Sequence, residues 1–308
     1  MNEVASPQCA MLRAGITMKS IFDAMQAISM VHKTTFDRYF AEYPPKCSEM
    51  TFTNILCWAD VKNHQFCVYR DHLLVSYQRK SDSEPQFFPP IGEHPEDLML
   101  EPLPGLQTYR WVRIPRTLSD DLSGSMSIVF DRDNSDYYYD VEELITLKGK
   151  KFEGNRNLIR RFADLNPTVR LMQAHDATAC IELQERWLSE QDADRSSAAE
   201  ETAAVKIAFH HFESLPIKGV VVEIDQKLVG FAMGERLNSE MFVEHYEKAA
   251  REFKGAYQYV LHAFAGEVAA ELRYINRAQD LGIPGLRQAK LSWRPAGFVE
   301  KYSARMFL

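Results

Sequence analysis

Residues 131–167 read DRDNSDYYYDVEELITLKGKKFEGNRNLIRRFADLNP, and the rest of the chain is organised around them. Three consecutive tyrosines lead into a short helical pattern that Asp140 can cap. A glycine-punctuated loop over residues 148–155 then feeds a second predicted helix over residues 155–165. Asn166 and Pro167 end that helix, because the residue before a proline is disfavoured in the helical region. This end is the predicted boundary between two domains.

The loop and the second helix carry a local excess of positive charge. Residues 148–161 hold six basic side chains against a single acid, Glu153, in a chain of net charge −7. The six are Lys148, Lys150, Lys151, Arg156, Arg160 and Arg161. Free N–H groups at a helix start beside such cations form anion sites, so the pattern predicts a phosphate-binding segment. The alternative is a solvated basic face beside acidic neighbours such as Glu142 and Glu143.

Outward from this stretch, both halves show a similar order of elements. In the first half, an amphipathic helix over residues 33–43 precedes a predicted hairpin over residues 65–77. In the second half, helices precede three predicted strands over residues 219–224, 228–236 and 240–249, and a loop then leads into a helix from residue 256. The order predicts two copies of one architecture, with domains at residues 1–166 and 167–308. The expected fold class is α/β (α+β), each domain being a mixed, largely antiparallel sheet flanked by helices.

Composition limits the class of protein. The 308 residues are 45% hydrophobic and 26% charged, which is typical of soluble globular proteins. No apolar run approaches the roughly 20 residues that span a bilayer, and the start lacks a secretory pattern. The cysteines Cys9, Cys47, Cys57, Cys67 and Cys180 form no Cys-x-x-Cys pair, so neither a disulfide framework nor a structural zinc site is expected. The prediction is a cytoplasmic protein without a metal and without a duplex DNA partner.

A second polar constellation lies near the C-terminus, where residues 274–294 read YINRAQDLGIPGLRQAKLSWR. Acyl transfer develops negative charge on a carbonyl oxygen, which a positioned cation or N–H group stabilises while a base takes the acceptor's proton. The residues of this type predicted as catalytic are Asn276, Arg277, Asp280 and Lys290, and the neighbours predicted to bind substrate are Gly282, Gly285, Arg287 and Arg294. The alternative is that Asp280 caps a helix whose exposed face carries Arg287, Lys290 and Arg294.

Other titratable residues are weaker candidates. Glu244, His245 and Glu247 alternate along the third strand of the meander, so that two of the acids are expected to share one face, and they are minor candidates for a general base. His210 and His211 lie on an apolar helix with no nearby ligand partner, so metal binding is not expected there.

Four long segments resemble a known family. YPPKCSEMTFTNILCWAD, DNSDYYYDVEELITLKGKKFEGNRNLIRRF, GAYQY and YINRAQDLGIPGLRQAKLSWRP look like a bacterial family of unknown function that shares a region with the C-terminal catalytic part of phosphatidylglycerol lysyltransferases. The resemblance implies two tandem GNAT-type acyltransferase domains. This arrangement is also found in peptidoglycan aminoacyltransferases, which take an amino acid from charged tRNA. The lysyltransferases also carry a multi-spanning membrane domain, for which the sequence contains no segment.

The resemblance also locates a departure from the GNAT pattern. GNAT acetyltransferases share a pyrophosphate loop, Gln or Arg followed by x-x-Gly-x-Gly or Ala, between a strand and a helix. The corresponding residues are REFKGA at 251–256, which include Gly255 and precede Tyr257, and KFEGNR at 151–156. Neither matches well, which favours a charged tRNA or another phosphorylated donor over acyl-coenzyme A.

The expected function is therefore an acyl- or aminoacyltransferase. Asn276, Arg277 and Lys290 would hold the donor or its oxyanion, and Asp280 would orient them. Phosphate and substrate contacts are expected from Lys148, Lys150, Lys151, Arg156, Arg160, Gly255 and Tyr257. The acceptor stays open among small molecules, peptides and lipids. The alternatives are a non-catalytic binding module for a phosphorylated ligand and an acetyl-coenzyme A-dependent N-acetyltransferase.

Overall fold

The structure is a computed structural model that describes residues 18–79, 82–190 and 195–307, so Cys9 lies outside the described residues. The chain forms two compact units. The first contains the chain up to Pro44, Trp58–Asp131 and the segment from Lys301, and the second contains Pro45–Cys57 and Arg132–Glu300. Each unit holds a seven-stranded mixed sheet with helices, as the predicted fold class requires.

Strands are numbered β1–β14 and helices α1–α11 in chain order. The first unit contains strands β1 (Gln26–Ala27), β2 (Gln65–Tyr69), β3 (His72–Tyr77), β4 (Gln86–Phe87), β5 (Thr108–Pro115), β6 (Ile128–Phe130) and β14 (Lys301–Phe307). Its helices are α1 (Lys33–Glu42), α3 (Ala59–Lys62), α4 (Pro95–Leu100) and α5 (Arg116–Leu122), with 3-10 turns at Ile21–Asp23 and Met30–His32. The strand order is β1-β2-β3-β4-β5-β14-β6.

The second unit contains strands β7 (Asp136–Asp140), β8 (Thr168–Leu171), β9 (Lys218–Ile224), β10 (Lys227–Arg236), β11 (Met241–Ala249), β12 (Tyr274–Asn276) and β13 (Gly297–Val299). Its helices are α2 (Phe52–Cys57), α6 (Val141–Thr146), α7 (Glu153–Ala163), α8 (Ala177–Ser189), α9 (Arg195–His210), α10 (Ala256–Glu267) and α11 (Pro284–Ser292). Two 3-10 turns lie at Lys150–Phe152 and Ala174–Asp176. The strand order is β13-β7-β12-β11-β10-β9-β8.

The strand patterns read from the sequence are confirmed where the alternation was strongest. The hairpin β2–β3 pairs antiparallel through Tyr69 and His72. The meander β9–β10–β11 is also antiparallel, and its inner strand buries Phe231, Ala232 and Met233 completely. The C-terminal part of the chain forms two strands, β13 and β14, which belong to different sheets.

The units differ from the predicted consecutive ranges 1–166 and 167–308. Strand β7 precedes the predicted boundary but pairs with β12 and β13 of the second sheet, where Tyr137 and Tyr139 are buried. Strand β14 comes last in the chain but lies between β5 and β6 of the first sheet. Each unit is therefore completed by a strand that sequence order assigns to the other half.

Helix α2 starts at Phe52, and the side chain of Thr51 accepts the Asn54 N–H at 3.0 Å. Ser48 donates to Asp136, through its N–H and its hydroxyl, both at 2.9 Å. Among the residues that the structure describes, no helix is long and apolar enough to cross a membrane.

Candidate functional site

The candidate site lies in the second unit, where two parallel strands separate. β11 and β12 pair only through residues 241–243 and 274–276. β12 ends at Asn276, whereas β11 continues for six residues to Ala249. Beyond the last paired residues, the two strands present charged side chains to each other, Glu244 and Glu247 from β11 and Arg277 from the chain after β12.

The Arg277 guanidinium joins the two carboxylates. Its Nε donates to Glu244 Oε2 at 2.5 Å, and a terminal nitrogen donates to Glu247 Oε2. All three side chains are at most 11% exposed. Burial opposes the charge of Arg277, but the two carboxylates outweigh burial and raise the pKa of the guanidinium. Burial raises the pKa of Glu247 above its ordinary value, although Arg277 opposes this.

A β-bulge explains why both acids reach one arginine. Met233 of β10 lies opposite Tyr246 and Gly234 lies opposite Glu244, so His245 is an extra residue in β11. Residues three apart on a regular strand point to opposite faces, and the bulge returns Glu247 to the face of Glu244. The prediction that two of the acids share one face is therefore correct, but the bulge produces this arrangement, and strict alternation would not. A Cβ at Gly234 would lie 1.9 Å from the carbonyl oxygen of Val243, so the bulge requires glycine there.

Lys290 lies on α11 and is buried, 8% exposed. Its Nζ donates to the backbone carbonyl of Arg277, and its own carbonyl accepts the Tyr139 hydroxyl at 2.9 Å. Burial, together with the charge of Arg277, lowers the pKa of Lys290 to about 8. An ammonium in this state carries hydrogen-bond donors and releases a proton near neutral pH.

Asp280 and Asn276 hold the chain between β12 and α11. Asp280 is fully buried and accepts hydrogen bonds from Arg287 at 2.8 Å, Tyr137 at 2.5 Å and the Gly282 N–H at 2.9 Å. Although burial opposes the charge of Asp280, these bonds hold the pKa of the carboxyl well below its usual range, so it is an anchor and not a base. Asn276 accepts the Ala278 N–H at 2.8 Å through its amide oxygen.

Asp136, on β7, is a buried partner that sequence reasoning missed. It accepts the Asn276 amide N–H at 3.0 Å as well as both bonds from Ser48. Arg132 was missed too, and its guanidinium donates to the Tyr137 hydroxyl at 2.7 Å. Arg132 precedes β7 and Asp136 begins it, and the tyrosines of this strand look like ordinary core residues. Local sequence carries no signal that Asp136 has a partner 140 positions further along the chain.

The other residues predicted on and around α11 are distributed differently. Arg287 is part of the Asp280 anchor and also contacts Asp133 at 2.7 Å, while Gly282 adopts a positive φ of 74°. Gly285 is exposed. Lys290 and Arg294 do not share a face, because α11 ends at Ser292 and Arg294 is exposed with a left-handed φ of 54°.

The basic segment of residues 148–161 forms mostly local contacts. Lys151 pairs with Glu143 at 2.5 Å and Lys148 approaches Glu142 at 3.9 Å. Arg156 donates to the carbonyl of Gly149 at 2.7 Å and to that of Leu147. Lys150, Arg160 and Arg161 are exposed. These contacts are those expected of the solvated basic face.

The loop of residues 251–255 is closed on itself. Gly255 has φ 96°, and a Cβ there would lie 2.2 Å from the Leu158 carbonyl oxygen of α7. The N–H groups of Phe253 and Ala256 are bonded to backbone carbonyls at 3.3 and 3.1 Å. After the loop, burial and the nearby Glu247 raise the pKa of Tyr257 to about 12. Two amides in and after this loop are therefore bonded within the protein and are not offered to a phosphate.

The first unit has a similar parallel pair with different contents. β4 and β5 pair only through Gln86 with Arg110 and Phe87 with Trp111. Phe87, Tyr109 and Trp111 are fully buried there, with ring centroids 5.6–5.7 Å apart. Aromatic rings thus pack at the parallel pair of the first sheet, where Arg110 of β5 also pairs with the buried Glu84 at 2.5 Å, whereas charged side chains follow the parallel pair of the second sheet.

The described residues contain no group of three His, Cys, Asp or Glu side chains that could hold a metal ion. Cys47, Cys57, Cys67 and Cys180 are buried free thiols, and burial raises the pKa of Cys57 and of Cys67 to about 12. Reactive thiolates have lowered pKa values, so these cysteines are core residues.

Comparison with known proteins is consistent with this geometry. Residues 40–305 match the family described as "Phosphatidylglycerol lysyltransferase, C-terminal". A conserved protein of unknown function from Bacteroides thetaiotaomicron is 28% identical, with a TM-score of 0.81 over 92% of this chain and 99% of that one. L-PGS from Bacillus licheniformis is 12% identical, with a TM-score of 0.59 over 88% and 90% of the two chains.

Two further matches extend the comparison. FemX is 10% identical, with a TM-score of 0.54 over 91% of this chain and 96% of that one. An uncharacterized protein of Mycoplasmoides gallisepticum is 20% identical over 183 residues, and the match spans 58% of each protein. Together with the two mixed sheets, these likenesses confirm the predicted fold of two tandem GNAT-type domains.

Proposed function

Because the chain belongs to the family of the C-terminal region of phosphatidylglycerol lysyltransferases, we propose that it moves an acyl or aminoacyl group from an activated ester to an amine or hydroxyl acceptor. The observation that carries the proposal is the buried charged site between β11 and β12, built from Glu244, Glu247, Arg277 and Lys290. Removing four ionisable side chains from water costs folding free energy, and groups with perturbed pKa values cluster at functional sites.

The proposed reaction assigns a role to each group. The acceptor's nitrogen or oxygen attacks the ester carbonyl, its proton passes to Glu247, and negative charge develops on the carbonyl oxygen. Lys290 donates to that oxygen, because its ammonium is held in a low-dielectric environment. The ester C–O bond then breaks and the leaving hydroxyl takes the proton. Arg277 fixes the two carboxylates, while Asn276 and Asp280 fix the chain on either side of it.

We propose a charged tRNA as the donor in preference to acyl-coenzyme A. Support comes from the loop of residues 251–255, in which the Phe253 and Ala256 amides are bonded to backbone carbonyls and Gly255 packs on α7. Cations at the surface, exposed except for the half-buried Arg156, contribute to the proposal as contacts for phosphates of the nucleic acid backbone. These are Lys148, Lys150, Lys151, Arg156, Arg160 and Arg294.

Transfer of a labelled amino acid tests this function. The full chain would be mixed with a set of charged tRNAs and with amine, hydroxyl and lipid acceptors, and labelled product would be measured. Lys290→Ala is expected to lower the rate at least about 100-fold, since it removes the oxyanion donor. Lys206→Ala is the matched control, because Lys206 is about half exposed and pairs with Glu185 on the surface.

The alternatives give different outcomes. Protection against heat by acetyl-coenzyme A, but not by charged tRNA, would indicate an acetyltransferase. Binding of charged tRNA without turnover of any acceptor would indicate a non-catalytic binding module. An equal rate for Lys290→Ala and the parent chain would remove Lys290 from the chemistry.

A further inference from the structure

Glu244 has one oxygen that the protein leaves unpaired. Its Oε2 accepts Arg277 Nε at 2.5 Å. Its Oε1 is buried, and within residues 18–79, 82–190 and 195–307 no donor reaches it. An unsatisfied buried polar atom costs about 1–3 kcal/mol, and more when the group is charged. Buried carboxylate oxygens in proteins are nearly always paired, so the position of Oε1 requires an explanation.

The neighbouring strand shows that an unpaired carboxylate is not a general property of this sheet. Glu235 of β10 is similarly buried, but its Oε1 lies 2.7 Å from His245 Nε2 and its Oε2 accepts the Thr53 hydroxyl at 3.0 Å. Both oxygens of Glu235 are therefore satisfied by side chains. Of these two buried glutamates on adjacent strands, Glu244 is the one with an oxygen that no donor among the described residues reaches.

The charged and polar groups that face Glu244 come from four elements. Glu247 lies on β11, Arg277 follows β12, Tyr139 lies on β7 and Lys290 lies on α11. The guanidinium of Arg277 is shared by two carboxylates. Lys290 directs Nζ to the Arg277 carbonyl, and not to Glu244. Glu244 Oε1 therefore keeps the capacity to accept one further hydrogen bond.

We propose that Glu244 Oε1 accepts a hydrogen bond from the ammonium group of a substrate, which makes Glu244 the specificity-determining residue for an amine-bearing ligand. The proposal rests on the proposed transferase function and deepens it. The amine belongs either to the aminoacyl group of the donor or to the acceptor. An ammonium suits the site better than a hydroxyl, because charge-assisted hydrogen bonds are roughly twice as strong as neutral ones.

Binding of small probes to the full chain tests the proposal. Alaninamide imitates the aminoacyl group and ethanolamine imitates an acceptor, while propionamide and ethylene glycol are their amine-free counterparts. Choline and the N-trimethyl form of alaninamide keep the charge but have no N–H donor on the nitrogen. We expect one of the two ammonium probes to bind, by calorimetry, at least about tenfold more tightly than both of its matched compounds, as one charge-assisted bond is worth 1.4 kcal/mol or more.

Two variants make the test specific to one oxygen. Glu244→Gln keeps an acceptor for Arg277 but places an amide N–H₂ where the ammonium would donate, so binding is expected to weaken at least about tenfold. Glu235→Gln is the matched control on the adjacent strand and is expected to bind as the parent chain does. Alaninamide as the better probe assigns the site to the donor, and ethanolamine assigns it to the acceptor.

The results that overturn the proposal are defined separately from failure of the transferase function. Equal binding of an ammonium probe and its trimethylated form to the parent chain would overturn it, and this comparison needs no variant. Equal binding by Glu244→Gln and the parent chain would overturn it as well. Glu244-dependent binding of an ammonium without any aminoacyl transfer would leave the site intact and contradict only the proposed reaction.

Discussion

Replacement of Lys290 by methionine should change the pH dependence of stability in a calculable way. Burial and the Arg277 charge lower the pKa of Lys290 from 10.5 to about 8. The folded protein therefore binds this proton less tightly than the unfolded chain does. Holding the charged ammonium costs folding free energy at all pH values below about 8, and the cost disappears as pH rises from about 8 to 10.5.

The magnitude follows from the size of the pKa change. Lowering the pKa from 10.5 to about 8 corresponds to about 3 kcal/mol of folding free energy. Methionine has no charge and a similar length, but it cannot donate to the Arg277 carbonyl, which loses about 1 kcal/mol. Lys290→Met is therefore expected to be more stable than the parent chain by about 2 kcal/mol at pH 7, and less stable by about 1 kcal/mol above pH 10.

Urea unfolding of the two proteins between pH 7 and 10.5 measures the difference directly. Lys206→Met provides the control, because Lys206 is exposed and its replacement should leave the pH dependence in this window unchanged. A constant difference between Lys290→Met and the parent chain across the window would refute the reasoning. It would mean that the ammonium is as well solvated in the folded protein as in the unfolded chain.

Two further substitutions test the charged site and the loop before α10. Arg277→Met leaves Glu244 and Glu247 without their cation, so we expect a loss of about 3–5 kcal/mol at pH 8 and a smaller loss at pH 5. The sign follows because burial raises the pKa of Glu247 in the folded state, so stability falls as pH rises from the ordinary carboxyl pKa through the raised one. Equal losses in urea unfolding at both pH values would contradict this origin. Gly255→Ala places a Cβ 2.2 Å from a backbone oxygen of α7, at a φ of 96°, and should lower the unfolding free energy by more than about 2 kcal/mol. Gly266→Ala within α10 is the control: nothing lies within 4 Å of its Cβ, so thermal unfolding should show a small gain, and equal effects of the two substitutions would contradict the packing argument.

The elements predicted with most success were those whose sequence pattern is local. The β9–β10–β11 meander alternates with period two. Asn276 ends β12, Arg277 follows it, and Lys290 lies on α11, the next helix along the chain. Their proximity was therefore predictable. The pairing of β7 was not, because a strand that buries Tyr137 and Tyr139 has the same local pattern in either sheet. Its partners lie more than 130 residues further along the chain.

Local sequence also did not predict the environment of individual charged side chains. Lys290 was predicted to be catalytic, with a place on an exposed cationic face of α11 as the alternative, whereas Leu286 and Leu291 on the same helix are apolar. Both leucines are exposed, and Lys290 is buried instead. Glu244 and Glu247 meet only because of the bulge at His245, which depends on the opposite strand. These exceptions to local patterning are concentrated at the candidate site, as expected where function conflicts with stability.

The parallel strand pairs β4–β5 and β11–β12 illustrate the conflict between function and stability. In the first sheet, Phe87, Tyr109 and Trp111 fill the space beside the pair, and each buried ring contributes several kcal/mol to folding. In the second sheet, Arg277 and two buried carboxylates lie beside the pair, and desolvation offsets most of their Coulomb gain. Apolar side chains of similar volume would serve stability at least as well there. Stability alone therefore does not explain these charges, and the proposed binding of a charged group gives them a role.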